Sequence, residues 1–179
     1  MFYSAQYPSP FGLITLASDG DHLIGLWIEG QKYFAGTVTE ELIENPDLPV
    51  FAAARNWLDK YFAGQKPFVS ELPLSPQGTP FRQAVWDVLC EIPYGEVMTY
   101  GEIGKIVAVR MNKASMSGQA IGGAVGHNPI SIIIPCHRVV GSNGSLTGYA
   151  GGIDKKIKLL EHESVDMSHL FVPDKSTAP

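Results

Sequence analysis

Ile134-Pro135-Cys136-His137-Arg138-Val139-Val140-Gly141 sets a thiol beside an imidazole, straight after an apolar run and a proline. Proline cannot donate to a strand ladder, so it ends the run before the cysteine. A thiolate attacks carbon far better than a thiol does. A cysteine at a strand end, followed by histidine, reads as placed for chemistry. The bland alternative is a packed core thiol, since free cysteine is among the most buried residue types; the flanking residues reverse that reading. Ser131-Ile132-Ile133-Ile134 reads as a short buried strand entering this run, and Val139-Val140 as strand-like beyond it.

Working outward, Asn128-Pro129 closes a short helix over residues 117–126. Gly118, Ala120, Gly122, Gly123, Ala124 and Gly126 leave it little side-chain bulk. Glycine costs about 1 kcal/mol in a helix relative to alanine, so something must compensate. Close packing in the core and close approach of a partner, such as a DNA groove, remain equally open. Thr99-Tyr100-Gly101-Glu102 fits a capping box opening an earlier helix that turns Ile103, Ile106 and Val107 inward. Two short helices in this order suggest a helix-turn-helix, although the connection over 109–116 is longer than the usual turn. Before them, Thr79-Pro80 opens a helix with a buried stripe of Phe81, Val85, Trp86 and Leu89. Cys90 at its end reads as a packed thiol. On the other side, 142–145 is a turn, 149–152 a flexible loop, and Ile153–His162 a last helix with Glu163 at its end.

The N-terminal part has a different grammar. Leu13-Ile14-Thr15-Leu16-Ala17-Ser18 and His22-Leu23-Ile24-Gly25-Leu26-Trp27-Ile28 flank Asp19-Gly20, a strong hairpin signal, and Phe2-Tyr3-Ser4-Ala5 supplies a third strand. A helix follows over Pro49–Phe62 with an apolar face. The proline-bearing stretch 65–78 reads as a linker. The expected fold class is therefore α/β of the α+β kind. A small antiparallel sheet with a helix occupies 1–75. A mostly helical unit with a helix-turn-helix and a short strand pair occupies 79–165, and a tail covers 166–179.

Composition bounds the function. With 45% hydrophobic and 17% charged residues in 179, the chain is globular. No apolar run approaches a membrane span, and the start Met1-Phe2-Tyr3-Ser4 lacks the pattern of a signal peptide. Two cysteines make no disulfide framework and point to a reducing cytoplasm; with five scattered histidines they show no zinc-ligand spacing, so neither metal nor cofactor is expected. The net charge of -5 gives no global attraction for nucleic acid. Any DNA-binding surface must be local, and Lys105, Arg110, Lys113, His127 and Arg138, with Glu102 as the one nearby acid, are the candidate stretch.

Cys136 needs a base at neutral pH, because a free thiol titrates near 8.5. On an extended chain the His137 side chain points to the opposite face, so a bridging water is expected between them. The imidazole in turn needs an acid to fix its tautomer, and Glu163 is the best placed.

Pro135-Cys136-His137-Arg138-Val139-Val140 resembles the active-site signature of the O6-alkylguanine-DNA alkyltransferases, the methylated-DNA–protein-cysteine methyltransferases. Pro93-Tyr94-Gly95-Glu96-Val97-Met98-Thr99-Tyr100, Ala120-Ile121-Gly122-Gly123-Ala124, Asn128-Pro129, Gly148-Tyr149-Ala150-Gly151-Gly152 and Leu159-Leu160-Glu161-His162-Glu163 extend the likeness in order and spacing. The resemblance implies direct DNA repair. Double-stranded DNA holding O6-alkylguanine would be bound through the minor groove by a monomer, and the damaged base flipped into a pocket. Cys136 would take the alkyl group irreversibly, once per molecule. His137 would act as base through a water, Glu163 would hold His137, and Asn128 would brace the network. Tyr100 would protonate the departing guanine and the Ala150 amide would support its oxygen. The Cys136 and Val139 carbonyls would read the guanine amino group, with Tyr149 as a pocket wall. Gln119, Ala120, Gly122, Gly123, Arg110, Lys113 and Arg138 would face DNA. Gln119 departs from the arginine that family members commonly place before this small-residue run, so Arg110 or Lys113 would supply the missing cation. A pocket serine of the family is Ala150 here. Two other readings exist: a cysteine hydrolase, which would turn over repeatedly, and a binding-only alkyltransferase-like protein, which would lack the cysteine.

Overall fold

The computed structural model describes residues 1–173. They divide into two compact units: Met1–Gln77 joined by Pro129–Ile133, and Gly78–Asn128 joined by the chain from Ile134 onward. Residues 174–179 of the expected tail lie outside the described residues.

In the first unit β1 (Phe2–Ser9), β2 (Gly12–Ser18) and β3 (Leu23–Ile28) run antiparallel. The Asp19-Gly20 turn forms because Gly20 accepts a φ of +110° without a Cβ clash. The Asp19 carboxylate accepts from the Asp21 and His22 amides at 3.0 and 2.7 Å. A short β4 (Leu42–Glu44) joins parallel to β1, giving the order β3-β2-β1-β4. Three residues are too few for an alternation signal, so the sequence does not announce this strand. β3 is buried along its whole length. Gly25 lets the Trp27 ring lie over the strand, since a Cβ there would stand 2.1 Å from the indole. Helix α1 (Pro49–Phe62) starts on proline, whose missing N–H is no loss in a first turn, and buries Phe51, Ala54, Trp57, Leu58 and Tyr61.

Residues 131–134 are not the expected strand. Leu26 N–H donates to Pro129 O at 2.8 Å and Ser131 N–H to Leu26 O at 3.1 Å, after which the chain folds into a tight buried turn. Ile133 N–H reaches back to Ser131 O at 2.8 Å, and Ile132 sits at φ +70°. The left-handed region costs an L-residue about 1–2 kcal/mol. Ile132 and Ile133 are each 1% exposed, and burying such side chains contributes about 1.5–3 kcal/mol apiece, which offsets the strain.

The second unit holds α2 (Pro80–Leu89), α3 (Tyr100–Arg110), α4 (Gly118–Gly126) and α5 (Ile153–His162). Each of the first three starts on a polar cap. Thr79 accepts from Arg82 N, Thr99 and Glu102 form a reciprocal capping box, and Ser117 accepts from Ala120 N. Helices α3 and α4 are joined over 111–117. The Trp86 indole donates to Ala124 O at 2.9 Å and ties α2 to α4. β5 (Met98–Thr99) pairs in parallel with β6 (Val139–Val140), Met98 opposite Val139 and Thr99 opposite Val140. Val140, Leu146, Leu160 and Val165 form a small core, with Ile157, Met167 and Leu170 packed against it. Among the described residues, no helix is long and apolar enough to cross a membrane.

Candidate active site

Cys136, His137 and Arg138 form one turn of 3-10 helix, not an extended strand. Such a helix has three residues per turn, so consecutive side chains fan out about 120° apart. This replaces the alternation expected of a strand, and it sends His137 and Arg138 to one carboxylate. His137 Nε2 lies 2.6 Å from Glu163 Oε2. Arg138 Nε donates to Glu163 Oε1 at 2.7 Å and Nη2 to Oε2 at 3.1 Å. The Gly95 amide adds a fourth donor at 3.3 Å. Glu163 is 2% exposed and follows the last residue of α5, as expected.

An ionised carboxylate only accepts, so the 2.6 Å contact places the neutral ring proton on Nε2. His137 Nδ1 is then the lone-pair nitrogen, and it has no protein partner among the described residues. Burial pushes the His137 pKa down against the opposing pull of Glu163, so the ring is a neutral base at pH 7. Burial alone would raise Glu163, but His137 and the Arg138 guanidinium hold its carboxyl well below the usual range.

Cys136 is 4% exposed. Burial pushes its thiol up, while a hydrogen bond from the Asn128 side chain and the charge of Lys156 pull the other way. At rest it is a protonated thiol with an ionising device around it. Asn128 also donates from Nδ2 to Ile134 O at 2.8 Å, which holds the turn leading into the cysteine. Cys90, half-buried, is pushed up to about 11 by burial and by Asp87 and Glu91.

The β5–β6 pair delivers Tyr100, the residue after β5, to the same end of the unit. Its hydroxyl donates to Thr147 O at 3.2 Å. Burial and the nearby Cys136 raise it to about 12, so it stays a donor. Tyr149 is buried and Ala150 half-buried in the loop that follows. The Val139 carbonyl already accepts one donor, the Lys156 ammonium, and the Cys136 carbonyl accepts from Val139 N–H. Each keeps a second lone pair.

Lys156 is not among the residues the sequence singles out. It is fully buried and donates to the carbonyls of Val139, Thr147 and Gly148. Burial lowers it to about 8, and the Cys136 charge opposes that fall. The available signal was its place on α5. Ile153, Lys156, Ile157 and Leu160 follow the spacing of one helix face, so the lysine stands inside an apolar stripe.

The expected DNA-facing residues separate. Gln119 and Ala120 are exposed at the start of α4, and Gly122 and Gly123 are half-buried. A Cβ at Gly118 or Gly123 would meet nothing within 4 Å, so internal packing does not demand glycine there. Lys113 is exposed and borders a cleft of about 490 Å³ beside Tyr100, with Lys105 on the same wall. Arg110 is exposed but paired with both Glu91 oxygens at 2.6 and 2.8 Å. Arg138 corrects its expectation. It is 7% exposed, bound to Glu163 and Ile92 O, and lies 5.7 Å over the Tyr94 ring. Its donors are spent inside the fold, where they hold Glu163 ionised.

A buried thiol thus adjoins a histidine with one nitrogen committed to a carboxylate that arginine also holds. Residues 80–165 match the DNA binding domain of 6-O-methylguanine DNA methyltransferase, and residues 2–76 match its ribonuclease-like domain. The methylated-DNA–protein-cysteine methyltransferase of Haemophilus influenzae is 42% identical over 163 residues, 91% of this chain and 87% of that protein. The crystal structure of the Mycobacterium tuberculosis O6-methylguanine methyltransferase superposes with a TM-score of 0.78 at 40% identity, covering 98% of this chain and 97% of that one. A second structure of the Mycobacterium tuberculosis protein, in complex with DNA, gives 0.77 at 40% identity, covering 90% and 91%. The chain belongs to the 6-O-methylguanine DNA methyltransferase family.

Proposed function

We propose that this chain repairs alkylated DNA directly, moving the alkyl group from O6 of guanine in double-stranded DNA to its own Cys136. The observation that carries this reading is the Nδ1 of His137, unpartnered among the described residues, whose other nitrogen is committed to Glu163. The thiol proton passes through a water to Nδ1. The thiolate then forms the sulfur–carbon bond as the carbon–O6 bond breaks, and the electron pair leaves on guanine. Tyr100 gives its hydroxyl proton to a ring nitrogen of the leaving base, and the proton on His137 restores the balance. The Ala150 amide supports the oxygen, in the manner of an oxyanion hole. The Cys136 and Val139 carbonyls read the amino group and Tyr149 walls the pocket. Asn128 and Lys156 stabilise the thiolate. A thioether has no easy return to thiol, so each molecule reacts once.

The α4 start, with Gln119, Ala120, Gly122 and Gly123, enters the minor groove, where missing side chains permit close approach. Lys113 contacts phosphate directly. Arg110 does so by exchanging Glu91, since an exposed pair of this kind is worth at most about 1 kcal/mol. Residues 1–75 are the N-terminal sheet-and-helix domain, 79–165 the alkyltransferase and DNA-binding domain, and 166–179 the tail. The protein acts as a monomer, without a cofactor, in the cytoplasm; two unpaired thiols favour that compartment.

The test uses duplex DNA labelled on one O6-methyl group. Uptake that stops at one equivalent per protein is expected. Continued release of label would indicate a hydrolase, and binding without uptake a lesion recogniser; either result overturns the proposal.

A further inference from the structure

The loop over 147–152, which carries Tyr149 and Ala150, is held from inside by Lys156 through the Thr147 and Gly148 carbonyls. A second restraint comes from outside. After α5 the chain doubles back, and Phe171 pairs in parallel with Ser145. Phe171 N–H donates to Gly144 O at 3.1 Å, and Leu146 N–H donates to Phe171 O at 2.8 Å. Met167 and Leu170 pack against the small core that Val140 of β6 shares with Leu146, Leu160 and Val165. The approach is close. A Cβ on Gly144, at φ +88°, would stand 2.0 Å from His169 O. Glycine is therefore required here both by its backbone conformation and by the chain crossing over it. The strap residues themselves lie past residue 165, where the match to the family's DNA binding domain ends.

We propose that residues 166–171 are a positioning strap for the lesion pocket, pairing with 144–146 to fix where the loop 147–152 begins. This rests on the proposed function for its consequence, which is transfer rate, but not for its geometry. The strap touches no reacting atom. It sets the Ala150 amide and the Tyr149 wall by pinning Leu146, one residue before Thr147.

The test compares two full-length variants. Phe171→Pro removes the N–H that pairs with Gly144; Phe171→Ala keeps it and trims a side chain that is 44% exposed. Amide exchange over 146–150, single-turnover transfer at saturating duplex, and duplex affinity are measured for each. For Phe171→Pro the strap predicts exchange about 3- to 10-fold faster and transfer slower by a similar factor, the worth of one backbone hydrogen bond. Duplex affinity should stay within about twofold, and Phe171→Ala should match wild type on all three readouts. Gly144→Ala, which displaces the crossing from the other side, should reproduce the proline result. Unchanged exchange and rate in Phe171→Pro, or an equal loss in Phe171→Ala, overturns the strap. If wild type itself transfers nothing, the function fails and the exchange data alone still decide the strap.

Discussion

Replacing Glu163 with glutamine keeps the side-chain shape and removes its charge. In the native site that carboxylate takes four donors, from His137, from Arg138 twice and from Gly95, at 2.6 to 3.3 Å. Breaking a buried pair by neutralising one partner costs about 3–5 kcal/mol, because the other charge stays buried. For a chain of this length that lowers the melting temperature by about 6–20 °C. The chemical effect is separate. A glutamine that keeps its oxygen at the Oε1 position, for the shorter Arg138 Nε bond and the Gly95 amide, turns its amide N–H toward His137 Nε2, which drives the ring proton to Nδ1. That nitrogen then cannot accept the thiol proton. General base catalysis is worth about 10²–10⁴-fold, and a rate loss of that order is expected. The assay is single-turnover transfer from a methylated duplex, run well below the variant's melting temperature, beside a thermal melt. The pH dependence follows from the depressed carboxyl. Its contribution to stability is present above the unfolded value near 4.3 and is lost as pH falls toward the folded one. Acid unfolding of wild type should therefore steepen below about pH 4.3, and Glu163→Gln should lack that component. A variant that melts within about 2 °C of wild type and transfers within about threefold of its rate would show that the Glu163 charge holds neither Arg138 nor the His137 tautomer.

Tyr100→Phe should slow transfer by about 10²-fold at unchanged duplex affinity, read from the same single-turnover assay; an unaltered rate removes it as proton donor. Lys156→Met should destabilise by about 2–3 kcal/mol in denaturant melts, because the Val139, Thr147 and Gly148 carbonyls lose their shared donor. Gln119→Arg should tighten binding to undamaged duplex and steepen the dependence of log affinity on log salt by about 1. An unchanged slope would mean that residue 119 does not reach the phosphates.

The sequence carried the starts of α2, α3 and α4. Thr79, the Thr99–Glu102 box and Ser117 are local chemistry, and each cap forms where its residues stand. The Asp19-Gly20 hairpin is of the same kind. The isoleucines at 132–134 mislead because burial and β-branching look alike in a strand and in a packed turn. Only tertiary contacts, such as Ser131 N–H on Leu26 O, hold Ile132 at positive φ. Around the thiol, the residue types and the Glu163 contact were legible, but the 3-10 turn that aims His137 and Arg138 together was not. Arg138 reads as a surface cation until the carboxylate beside it is seen. Lys156 reads as a solvated helix position although its spacing puts it among apolar neighbours. Both are charges whose partners lie far along the chain, and no local pattern encodes such a partner.

The most direct measurement is the mass of the intact protein after mixing with a duplex carrying one O6-methylguanine, followed by peptide mapping. The gain should be one methyl in place of one hydrogen, confined to the peptide holding Cys136. A protein that emerges unmodified, or carries the methyl on Cys90, would contradict the account.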